Sequence, residues 1–146
     1  MMNFIRTSII GLVALALSGG FLSTVFASDD TPKHKVVIQV STSDIQTQMI
    51  ALNNAINVQK ALGQDNVLVE VVAYGPGLTL LTKGDSKSTK RVPNLAMQDI
   101  SFSACGNTMK KMGKQDGDLV DGVKVVQAGV LRIMQLQEQG YSYVRP

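Results

Sequence analysis

Two rhythms of apolar and polar residues run through this chain. Short runs rich in β-branched residues, Lys35–Val40 (KVVIQV), Asn66–Tyr74 (NVLVEVVAY), Ile100–Ala104 (ISFSA) and Gly122–Val126 (GVKVV), are bounded by polar or turn-forming residues and read as buried strands. Between the first two, Ile45, Met49, Leu52 and Ile56 recur at helical spacing, with Ala55 and Ala61 alongside. Gln46, Asn53, Gln59 and Lys60 fall on other faces, which predicts an amphipathic helix ending at Gly63. Ser41–Asp44 supplies side chains that cap its first turn. Further helical patterns run through Met109 and Met112, and through Val130, Ile133, Met134 and Leu136 up to Gly140. Leu78–Leu81 and Pro93–Gln98 are expected as short helical turns, and Tyr141–Val144 as a last short strand. Strands alternating with helices imply βαβ units. The expected fold is α/β, a flavodoxin-like three-layer sandwich with a mostly parallel sheet of four to five strands, too few to close a barrel.

Thr82–Arg91 (TKGDSKSTKR) shows no apolar period and is expected as an exposed loop. Its cations suit an anionic ligand, but a solvated loop is the better account of them. Gly75-Pro76-Gly77 stops the second strand as a tight turn. It matches neither a dinucleotide fingerprint nor a phosphate loop.

The first residues follow a third pattern. A cationic start with Arg6 precedes the apolar stretch Ile9–Leu17, then Ser18-Gly19-Gly20 and the run Thr24-Val25-Phe26-Ala27. This is the layout of a secretory signal cleaved near Ala27. An uncleaved anchor is the competing reading, but a spanning helix needs about 20 apolar residues and the glycines interrupt this one. The expected organisation is a signal peptide over 1–27, a flexible lead-in over 28–34 and one domain over 35–146, periplasmic or secreted and free of the membrane after cleavage.

Net charge is only +3 and aromatic residues make up 5% of the chain, so the clustered basic face and stacking platforms of nucleic-acid binders are missing. There is one cysteine, Cys105, and one histidine, His34. A lone thiol in an oxidising compartment is buried filler, a half of an intermolecular disulfide, or kept for reactivity. Cys105 closes the third strand directly before a helix, at the edge where open α/β sheets bind ligands. A helix amino terminus there, with Lys110 and Lys111 close by, would favour the thiolate. Asn107 or Thr108 would cap the helix.

His34 reads as a solvated residue beside the first strand, so a Cys–His dyad is poorly supported. No cluster has metal-ligand spacing, and no cofactor is implied. A thiolate with neither base nor metal can still accept and donate sulfur by thiol–persulfide exchange. The candidate catalytic residue is therefore Cys105, with Tyr74, Gly75, Gly77 and Asn107 shaping a ligand pocket. A binding or assembly module in which Cys105 is incidental is the alternative, and whether the protein is an enzyme stays open.

Three segments carry a family resemblance: Val72-Ala73-Tyr74-Gly75-Pro76-Gly77, Phe102-Ser103-Ala104-Cys105-Gly106-Asn107-Thr108-Met109, and Gly140-Tyr141-Ser142-Tyr143-Val144-Arg145-Pro146. With the order of elements, they make the chain resemble the DsrE/DsrF-like proteins, and more narrowly an exported branch of them. The resemblance implies a flavodoxin-like fold, homo-oligomers that are trimers or hexamers, and, in some members, sulfur relay to a thiol-bearing partner protein through a cysteine near the end of a central strand. Only Cys105 matches that position. Export departs from the cytoplasmic relay pattern.

Overall fold

The computed structural model describes residues 34–84 and 86–146. The expected signal peptide and the lead-in as far as residue 33 lie outside the described residues. The chain runs β1 (His34–Val40), α1 (Ile45–Leu62), β2 (Val67–Ala73), α2 (Val92–Ala96), β3 (Ile100–Cys105), α3 (Gly106–Lys111), β4 (Val123–Val126), α4 (Gly129–Glu138) and β5 (Ser142–Val144). Short 3-10 turns, including Gly75–Leu80 and Thr89–Arg91, join some of them.

All five strands are parallel, in the order β4-β3-β2-β1-β5. That order decides where the helices go. The chain steps from β1 to β4 in one direction, and right-handed crossovers then put α1, α2 and α3 on one face. The step from β4 to β5 returns across the whole sheet and carries α4 to the other face. The larger core forms on the first side from Val36, Ile38, Val40, Val69, Val71, Phe102 and Ala104 of the strands, under Leu52, Val92, Leu95 and Met109 of the helices. On the α4 side only Val37, Val72, Ile133 and Leu136 form a buried apolar cluster, with Tyr74 and Tyr141 packed against it.

Asp44 starts α1 as its N-cap, with Oδ2 accepting from the Thr47 amide at 2.7 Å. The buried face of α1 differs from the expected one. Ile45 and Ile50 are exposed, whereas Gln48 and Gln59 are buried. The reason is polar: Gln48 Nε2 donates to the Thr42 carbonyl and to Thr79 Oγ1, and Gln48 Oε1 accepts from Ser88 Oγ at 2.7 Å. Gln59 Nε2 likewise donates to the Gln98 carbonyl.

The same network overturns the reading of residues 82–91 as a simple exposed loop. Ser88 and Thr89 are buried, and Thr89 Oγ1 donates to the Thr79 carbonyl at 3.1 Å. Small hydroxylated residues look like a solvated loop in sequence, yet here the Ser88 hydroxyl is satisfied by the buried Gln48 amide and the Thr89 hydroxyl by the Thr79 carbonyl, so both can be removed from water. On α4, Val130 (66% exposed) and Met134 (51%) face outward, although the helical pattern groups them with the buried Ile133 and Leu136. One ten-residue helix alone on a sheet face has no neighbour to cover its flanks. Finally, His34 belongs to β1, pairing with Val67, where a lead-in was expected.

Candidate functional site

Residues alternate across β3, so Phe102 and Ala104 enter the large core while Ser103 and Cys105 face the α4 side. β3 continues into α3 on one face of the sheet, and neighbouring β4 continues into α4 on the other. Adjacent strands whose connections part to opposite faces open a crevice at their carboxyl ends, the position at which open α/β sheets bind ligands. Cys105 ends β3 at that boundary, beside Val126 of β4.

Three loops meet there. The Tyr74 amide donates to the Val40 carbonyl at 3.1 Å and the Gly75 amide to Thr108 Oγ1 at 3.0 Å. The Asn107 amide donates to the Gln127 carbonyl at 3.2 Å, tying the start of α3 to the segment that leads into α4. Gly129, the first residue of α4, lies so close to Tyr74 that a Cβ there would stand 2.9 Å from the tyrosine Cβ. Gly77 is tighter still: a Cβ would come within 2.2 Å of the Val40 carbonyl oxygen, so only glycine lets this turn seat on the end of β1. Gly75 needs its residue type for another reason, a φ of 54°.

Cys105 is itself the N-cap of α3, with extended φ and ψ, and Asn107 and Thr108 lie inside the first turn instead of capping it. The cysteine is 5% exposed. Burial, the largest single influence, opposes its charged form. The Thr108 hydroxyl and the amides of Gly129, Thr108 and Asn107 together outweigh burial and hold the thiol pKa below its ordinary value. The expected contribution of Lys110 and Lys111 is replaced by these nearer donors, both lysines being exposed. Thr108 has a double position, because its oxygen accepts from Gly75 and its proton is left for the sulfur.

Of the residues singled out from sequence, Cys105, Tyr74, Gly75 and Asn107 come together at this edge, while Gly77 works from behind, against β1. Sequence reasoning assigned Thr108 only a cap and passed over Gly129. It also passed over an ion pair between a buried carboxylate and a half-buried guanidinium on the same face: Arg132 of α4 donates to Glu70 of β2 through Nε and Nη2, at 2.8 and 2.7 Å. Ser103 Oγ donates to the same carboxylate at 2.7 Å. The signal was present, since a glutamate inside the apolar run NVLVEVVAY demands a buried partner.

A shallow recess of about 220 Å³, lined by Val126, Gln127, Ala128, Leu131, Arg132 and Gln135, adjoins this edge. A larger one of about 320 Å³ lies at the opposite end of the sheet, near His34, Val58, Leu62 and Ser142. Neither lining includes Cys105, but the smaller recess shares Val126 with the carboxyl edge at which Cys105 ends β3. Among the described residues no three or more metal-ligating side chains gather, and no helix is long and apolar enough to cross a membrane.

A five-stranded parallel sheet with helices on both faces and a cysteine at the crevice places the chain among α/β proteins of flavodoxin-like architecture. Residues 34–146 match the DsrE/DsrF-like family, and the chain belongs to it. It is similar to a solved structure of a protein of unknown function, MTH1491, from Methanobacterium thermoautotrophicum, with 34% identity and a TM-score of 0.72 over 77% of this chain and 99% of that one. The ychN protein from E. coli has the same fold, with a TM-score of 0.66 at 15% identity over the same shares of each chain. No curated protein matches.

Proposed function

We propose that this protein handles sulfur, with Cys105 accepting a sulfane sulfur as a persulfide and passing it to another thiol. The observation that carries the reading is the set of donors around the Cys105 sulfur, which favours the thiolate, the form that attacks. Membership of the DsrE/DsrF-like family is consistent with a sulfur-related role.

In the first step the Cys105 thiolate attacks the outer sulfur of a donor persulfide. A new S–S bond forms at Cys105, the donor S–S bond breaks, and the donor leaves as a thiolate. In the second, an acceptor thiolate attacks the outer sulfur of the Cys105 persulfide and releases the Cys105 thiolate. Each step exchanges one disulfide-type bond for another, so no oxidant, base or metal is consumed. Tyr74, Gly75 and Asn107 frame the edge at which the partner sulfur arrives. We assign the protein to the cell envelope or exterior on the strength of its first 27 residues, and a homo-oligomer as its working state on the family resemblance.

Exposing the folded protein to polysulfide and weighing it intact tests the assignment. A gain of one sulfur that is lost in Cys105→Ser, and is passed to a small thiol, is the expected result. The burial of Cys105 favours a second reading, a ligand or partner-binding module in which the thiol is a packing residue. A thiol that takes up no sulfur selects that one.

A further inference from the structure

Glu70 is 5% exposed, in the middle of a strand whose other residues facing α4 are apolar or small. A carboxylate removed from water at that depth is costly unless charge and hydrogen bonds compensate it. It receives the two-pronged Arg132 guanidinium and the Ser103 hydroxyl. Replacing such a pair by apolar residues of similar size is often neutral or stabilising, so its presence calls for an account other than stability.

Its position supplies one. Arg132 closes the first turn of α4, its amide donating to the Ala128 carbonyl at 3.0 Å. Gly129, at the head of that turn, packs on Tyr74, and Gln127 just before it accepts from Asn107, two residues beyond Cys105. Ser103, the third member, points to the same face of β3 as Cys105 and precedes it by two residues. A ten-residue helix held to the sheet by Ile133 and Leu136 could slide along its axis, since apolar contacts are not directional. A forked ion pair admits one geometry.

We infer that Glu70 and Arg132 are positioning residues for the Cys105 sulfur: the pair fixes the height of α4 on the sheet, so that the turn at Gly129 is held against the end of β3. The inference rests on reading Cys105 as the functional thiol, but it concerns how the sulfur is held and not what it carries. Tyr141 and Lys35 also face this region, with Tyr141 packed against the apolar cluster below α4 and the Lys35 ammonium 5.9 Å from its ring. Burial and the charge of Glu70 both keep the Tyr141 phenol neutral above its usual range, with Arg132 acting in the opposite sense.

The test is the titration of the thiolate by its ultraviolet absorbance in the full chain, read as a difference from Cys105→Ser in each background. Arg132→Met alone strands a buried carboxylate and risks unfolding, so the informative variant is Glu70→Leu with Arg132→Met. If the pair positions the sulfur, this variant stays folded by circular dichroism while the Cys105 midpoint rises. A rise of one pH unit means about tenfold less thiolate at neutral pH. Arg132→Lys keeps the charge without the fork. It gives a smaller rise in the same direction and serves if the double variant does not fold. An unchanged midpoint in a folded variant overturns the inference. Sulfur loading measured alongside separates the two ideas: wild type that loads no sulfur, with a midpoint that still moves, removes the sulfur reading and leaves the positioning intact.

Discussion

On the α1 side of the sheet the strand residues facing inward are Val, Ile, Ala and Phe, and three helices seal them. On the α4 side the corresponding positions hold Gln39, Glu70, Ser103 and Cys105 among a few valines, under a single helix. The first side is an apolar core whose contacts are many and replaceable. The second is small, polar and specific. Apolar packing and directional polar contacts are thus divided between the faces of one sheet, and Cys105 sits on the side where directional interactions, not apolar bulk, set the geometry.

That division can be broken most directly by emptying each side. Phe102→Ala removes a fully buried ring from the large core and is expected to cost about 3–5 kcal/mol in denaturant unfolding. Leu136→Ala on the other side should fall near the lower end for its type, about 2 kcal/mol, because a helix without flanking neighbours can settle into the space. Equal losses would mean that the small cluster supports the fold as much as the large one.

Gln48→Ala probes the polar exception on the first side. It removes one of the partners of buried Ser88 and of Thr79, and should cost about 1–3 kcal/mol while making residues 86–91 a preferred site of limited proteolysis. Unchanged protease resistance would show that the segment is held by other contacts.

The smallest effect is the most specific. Thr108→Val deletes one hydroxyl beside the sulfur and should raise the Cys105 midpoint, whereas Thr108→Ser should not; the stability cost should stay at about 0.5–1.5 kcal/mol. The folded thiol has a lower pKa than the unfolded one, so its ionisation stabilises the folded state. That increment is complete above the unfolded pKa and disappears as pH falls through the folded one. Wild type should therefore gain stability over Cys105→Ser as pH rises through this window, and Thr108→Val should narrow it. A stability difference independent of pH would contradict the thiolate assignment.

How much of this was legible beforehand follows from the range of the interactions. Periodicity and turn residues act over a few positions, so the strands and helices, the α/β class and the place of Cys105 at a strand end could be read from the chain. The burial of Gln48, Ser88 and Thr89 could not, because it depends on an amide meeting hydroxyls up to 40 residues away. Val130 and Met134 failed for the opposite reason: helical spacing tells which residues share a face and not whether anything covers it.

The sequence by itself determined the elements, their alternation and the single thiol, because each is written in neighbouring residues. Only the tertiary structure decided the strand order, and with it the crevice between β3 and β4, the approach of Gly129 and Thr108 to the sulfur, and the Glu70–Arg132 pair. These depend on which distant segments the crossovers bring together, and a parallel sheet joins its strands through long connections whose direction across the sheet no local pattern records.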